Sequence, residues 1–219
     1  MSNPYTIGLD LGQAQDPSAL AILERTSVKN DGEELSEYAL RHLQRFPLGT
    51  AYTAIVPAVA DLAHSEPLQR AALVVDQTGV GRAVVDMLRK SGITGQIVPV
   101  TITGGHVVTL GQEGARRVPK KELVTSLQVL LQARRLKIAR SLPDAELLAR
   151  ELENYRVKIT AAVNEVFGAW REGQHDDLVL ATALAAWWAD RPRPRFYLGA
   201  FHYGGTLIDE ELRRAFPNG

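Results

Sequence analysis

The 219 residues carry 25 Lys and Arg against 25 Asp and Glu, a formal net charge of zero, so attraction to a polyanion has to come from a local patch. Cysteine is absent, which excludes disulfides and thiolate metal sites and leaves oxygen and imidazole as metal donors. The length suits one domain, the opening MSNPYTIGL lacks the basic start and apolar stretch of a secretion signal, and the longest apolar run, LVLATALAAWWA, is too short for a bilayer; the expectation is a soluble, cytoplasmic protein with no membrane partner.

Residues 5–11, 18–25 and 37–46 predict three strands of an antiparallel meander, with GQAQDP and KNDGEE as turns. AYTAIVPAVADLAH follows as a helix interrupted at Pro57, then AALVVD as a buried strand ending at Asp76. RAVVDMLRKSG fits an amphipathic helix, with Val84, Val85 and Leu88 on one face and Gly92 as its stop. QIVPV is the next strand. After a glycine-containing stretch without clear periodicity, Pro119 opens the helix PKKELVTSLQVLLQARR, whose Leu123, Leu127, Leu130 and Leu131 form an apolar face. LKI reads as a short strand, DAELLARELENY as a helix, RVKITAAVNEVFGAW as a hairpin and HDDLVLATALAAWWA as a final helix. From Asp190 onward RPRPRF breaks regular structure. The sum is an α/β fold, a mixed central sheet with an antiparallel meander and helices packed on its faces, over residues 1–190, followed by a C-terminal tail over 191–219.

The acids stand out against this frame. Asp10 sits in a strand flanked by Ile7, Leu9 and Leu11, where a carboxylate is costly to desolvate, and no lysine or arginine is close in sequence. Asp76 ends another strand, and Asp176 and Asp177 open the last helix. Carboxylates brought together repel and raise one another's pKa values, so a divalent cation is the natural compensation, and an all-oxygen donor set points to magnesium or manganese. Plainer readings stand beside this one. Asp176 and Asp177 could cap their helix, Asp76 could begin the turn before Gly79, and Asp16, next to Pro17, reads as a turn residue. Neither cap nor turn accounts for Asp10.

GLDLGQAQDPSALAI, VVDQTGVG and HDDLVLATALA, in this order and with the basic leucine-rich helix PKKELVTSLQVLLQARRLKI between the last two, resemble the nuclease domain of the large terminase subunit of tailed bacteriophages. The resemblance implies a ribonuclease H-like fold and a two-metal site of Mg2+ or Mn2+ held by Asp10, Asp76 and Asp177 or Asp176. It further implies cleavage of double-stranded DNA with little sequence preference, as in viral genome packaging. His175, just before the two acids, is then a candidate to assist the metal-bound water or the leaving group. A complete large terminase also carries an ATPase motor, and no G-x-x-x-x-G-K-[ST] occurs in these residues. The chain is therefore expected to be an excised domain, a separate nuclease subunit or a relative with another use. Its expected partners are a motor domain or subunit, a small terminase and a portal, in the host cytoplasm if viral.

Between residues 115 and 140 stand eight Lys and Arg against the single acid Glu122, a local concentration suited to phosphate. Arg116 and Arg117, expected in the loop before the helix, are the leading DNA-binding candidates, with Lys120 and Lys121 on the helix and Arg156 and Lys158 on the hairpin. A solvated helix face is the plainer reading of Lys120 to Arg135. Trp170, Trp187 and Trp188 read as packing residues before a base-stacking platform. Three rivals remain. GLDLG also opens nucleotide-binding ATPases of the actin and sugar-kinase type, though 219 residues are short for two such lobes. A Holliday-junction resolvase has a similar acid set. A non-catalytic assembly module would keep the fold without needing the intact acids.

Overall fold

The computed structural model describes residues 3–12, 16–30, 33–79, 82–154, 156–159, 165–168 and 176–191. Strands β1 (Tyr5–Asp10), β2 (Ala19–Asn30) and β3 (Glu33–Arg45) form the antiparallel meander. Helix α1 (Tyr52–His64), strand β4 (Ala72–Asp76), helix α2 (Arg82–Lys90) and strand β5 (Ile97–Thr103) follow. The chain continues through the short β6 (Thr109–Leu110), β7 (Arg116–Pro119), helix α3 (Lys120–Gln132), β8 (Leu136–Ile138) and helix α4 (Ala145–Asn154). A separate pair, β9 (Arg156–Ile159) and β10 (Glu165–Gly168), precedes the closing helix α5 (Asp177–Ala189). Strands β1 to β8 make one mixed sheet in the order β6-β7-β5-β4-β1-β2-β3-β8, with β1, β4, β5 and β7 parallel at its centre.

Both faces of the sheet are covered, and strand parity decides which side chain goes where. Ile7 and Leu9 of β1, with Leu73 and Val75 of β4, pack under Ile55, Val56 and Val59 of α1 and Val84 and Leu88 of α2. Val74 of β4, with Ala19, Ala21 and Leu23 of β2, faces the other way, toward α3, α4 and α5. Helix α5 is buried along almost its whole length, as a helix apolar on every side must be. It lies directly on β1 at Gly8, where a Cβ would collide with the backbone of Ala181 and Ala185. No helix among the described residues is long and apolar enough to cross a membrane.

Several boundaries differ from the sequence-based expectation. The second and third strands run on through most of KNDGEE, pairing twelve positions from Ala19↔Arg45 to Asn30↔Glu33, because backbone pairing holds a ribbon whose outer side chains are exposed. Asp10 is the last residue of β1 rather than a mid-strand residue, although Leu11 beyond it is still buried. Pro57 does not interrupt α1, which is continuous over thirteen residues. Arg116 and Arg117 lie on β7, not in a loop; this short strand is held by parallel pairing to β5, which leaves no alternation of its own to read. Pro119 ends that strand and caps α3.

Candidate active site

The site is a consequence of register. Parallel β1 and β4 pair Thr6↔Ala72 through Leu9↔Val75, and continuing that register one residue sets Asp10 beside Asp76. Both acids share the parity of Gly8 and Val74, so both belong to the α5 face at the C-terminal ends of their strands. Helix α5 contributes from above. Ala181 rests on Gly8, and one turn earlier in the helix stands Asp177. Asp10, Asp76 and Asp177 are only 6, 7 and 3% exposed, so three carboxylates are gathered where water reaches them poorly.

The electrostatics carry the mark of that crowding. Burial, then the charges of Asp76, Asp177 and Asp176, hold the Asp10 carboxyl well above the ordinary carboxylate range, with Lys120 opposing. Burial also raises Asp76, against hydrogen bonds from Thr78, the charge of Lys120 and a hydrogen bond from Asp10. The Thr78 amide donates to Asp76 Oδ1 at 2.8 Å, which fixes this carboxylate at the strand end. Asp76 thus serves the turn through Thr78 and also hydrogen-bonds Asp10.

Two cations and a fourth buried acid complete the arrangement. Lys120 Nζ, at the start of α3, donates to Asp176 Oδ2 at 2.7 Å. Asp176 holds the N-cap position of α5 yet makes no side-chain cap. The cap comes instead from α4: Glu151 Oε2 accepts the amides of Leu178 and Val179 at 3.1 and 3.2 Å. Glu151 Oε1 accepts from Arg45 Nη2, which also lies 3.2 Å from Asp177 Oδ2. Burial pushes the Glu151 carboxyl up to about 7 despite these donors and Arg45. Arg45 and Glu151 are absent from the sequence-based set. Their signal was available: Arg45 shares the strand face of buried Leu43, and Glu151 stands three residues after buried Leu148 on the apolar side of its helix.

The described members of the expected DNA-binding set have different surroundings. Lys120 reaches into the acid site. Arg116 lies under the Trp188 ring, 5.9 Å from its centroid, while Arg117 and Lys121 are exposed. Thirteen residues of helix α3 then carry the remainder of the basic segment to its far end. There Arg135 pairs with Asp190 at 2.6 Å and Lys137 with Glu37 at 3.5 Å. Trp187 is buried at 4% exposure and packs beside Trp188. The backbones of Arg156 and Lys158 belong to β9, but their side chains, together with His175, Trp170 and the tail from residue 192, lie outside the described residues.

The donor set fits a hard divalent cation: all-oxygen, anionic, buried and mutually repelling at Asp10 and Asp76. Among the described residues no three Asp, Glu or His side chains already close around one point, because Asp177 turns to Arg45 and Asp176 to Lys120.

No protein-family model matches the chain. Over 181 residues, 83% of its length, it is 29% identical to the large terminase subunits of Thermus phage G20c and Thermus virus P23-45. It spans only 31% of those relatives. The solved large terminase nuclease of phage G20c, with magnesium bound, matches with a TM-score of 0.56 and 27% identity over 83% of this chain and 79% of that one. The chain resembles a large-terminase nuclease. The g2p large-terminase nuclease domain of bacteriophage SPP1, with manganese bound, shows the same fold at a TM-score of 0.52 and 16% identity, over 83% of this chain and 84% of that one. The mixed α/β architecture of terminase nucleases expected from the three motifs is therefore the one found.

Proposed function

We propose that this chain is a divalent-metal-dependent endonuclease that cuts double-stranded DNA with little sequence preference, as the nuclease part of a viral packaging machine. Residues 1–190 form the nuclease unit and 191–219 a tail. The observation that carries the reading is the pairing of Asp10 and Asp76 at one register on adjacent parallel strands, under the N-terminus of α5. The similarity to terminase nucleases favours it over a nucleotide-binding ATPase or a junction resolvase.

Asp10 and Asp76 would hold the metal pair with Asp177 or Asp176 as the third ligand. Bound there, two Mg2+ or Mn2+ ions supply an activated water and neutralise the leaving oxygen of a phosphodiester. The chain's own residues do the positioning. Thr78 fixes the Asp76 carboxylate beside Asp10. Glu151 anchors the first turn of α5 and with it the height of Asp177 above the sheet. The exposed Arg117 and Lys121 offer sequence-independent phosphate contacts near the end of β7 and the start of α3. The partners in this reading are duplex DNA, an ATPase motor domain or subunit, a small terminase and a portal.

The test is nicking of supercoiled plasmid with Mg2+ or Mn2+ by wild type, Asp10→Asn and Asp76→Asn. The exchange removes a charge at nearly constant shape. Activity is expected to fall by more than the roughly 100-fold that follows loss of a hydrogen bond around a metal site. Equal nicking by all three proteins would overturn the reading.

A further inference from the structure

Four carboxylates, Asp10, Asp76, Asp176 and Asp177, meet at one end of the sheet, and the structure gives them two cations, Arg45 and Lys120. Arg45 is locked. Its guanidinium holds Glu151 and Asp177 together, and Glu151 is itself pinned by two amides of α5. Lys120 serves Asp176. It is the first residue of α3, its side chain is 27% exposed, and it reaches on a flexible four-carbon stem to Asp176 Oδ2 at 2.7 Å. From there its charge also favours the ionised forms of Asp10 and Asp76. One ammonium thus offsets charge on three of the four acids.

We propose that Lys120 is a resident counter-ion of the acid site, displaced from Asp176 when a divalent cation enters. The inference rests on the metal-dependent reading of the site and adds a competitor to it. A single ammonium charge stabilises the crowded carboxylates in the ion-free protein, and a divalent cation does so more strongly at shorter range. The inference takes Asp176 as a metal ligand, and its oxygen cannot hold both cations. Metal binding therefore includes the cost of breaking the Lys120–Asp176 pair, which weakens the DNA-free affinity. The released ammonium then stands beside Lys121 at the rim, where a phosphate can take the place of Asp176.

The test is calorimetric titration of the full chain with Mn2+, comparing wild type, Lys120→Met, Lys120→Arg and Asp10→Asn. Lys120→Met is expected to bind Mn2+ about tenfold more tightly, Lys120→Arg to stay near wild type, and Asp10→Asn to lose binding. On the unchanged wild type, acylation of Lys120 by an amine-reactive ester, read by peptide mass, is expected to rise on Mn2+ saturation. This second measurement decides the matter should Lys120→Met fail to fold. If Asp10→Asn loses binding while Lys120→Met gains none, or if acylation of Lys120 is unchanged by Mn2+, the counter-ion role is overturned and the metal site stands. If neither wild type nor Lys120→Met binds Mn2+, both this role and the metal-dependent reading fall.

Discussion

Glu151 does at the residue scale what Asp176 fails to do: it caps the N-terminus of α5, from a different helix. Its removal would orphan two amides and leave the largely buried Arg45 with Asp177 as its remaining ion-pair partner, and the loss of a buried acceptor and of a buried charge partner are both among the more costly single changes a core can suffer. Glu151→Ala is expected to destabilise the protein by about 3 to 5 kcal/mol in urea unfolding, and Glu151→Gln, which keeps an acceptor, by distinctly less. Equal losses for the two would contradict the capping role. Asp10 and Asp76 were readable in the sequence because each puts a charge at the end of an apolar strand, a conflict that for Asp10 has no local remedy. Glu151 and Arg45 were harder to read. Each looks like an ordinary surface charge on an amphipathic element until the partner element shows which face is inside.

Among the elements, the contact of α5 with β1 sets the geometry of the site. Gly8 allows the helix backbone to touch the strand, and Ala181 and Ala185 keep the approach close. Gly8→Ala is expected to cost about 1 to 3 kcal/mol and to lower cleavage more than a surface change of equal stability cost, because it lifts Asp177 away from Asp10. The comparison is a stability curve beside a plasmid assay on the same protein. Helical periodicity read well here: α2 was bounded closely by its apolar face and its glycine stop, and α3 by its leucines. Strands read less well wherever pairing, not apolar alternation, holds them. The outer halves of β2 and β3 are polar and exposed, and β7 spans only four residues, so neither announces itself.

For the whole molecule, buried carboxyls make stability a function of pH. Asp10, Asp76 and Glu151 all titrate above their ordinary values in the folded state, Glu151 at about 7, so the native protein binds more protons than the unfolded chain. Their contribution is full below the ordinary carboxylate range and is lost as pH rises through the raised values. The metal-free protein is expected to melt at a lower temperature at roughly pH 7.5 than at about pH 5.5, and Glu151→Gln to flatten part of that slope. Added Mn2+ should flatten it further, since a cation favours the ionised forms. A melting temperature that climbs across the same interval would refute this account. The fold also imposes an order in time. Strand β1 is made before the helix that covers it and completes its acid site, residues 177–189. Until α5 has been made, Asp10 and Asp76 have no roof and Asp177 does not yet exist, so in the nuclease reading the cutting site is complete only after this last helix has emerged.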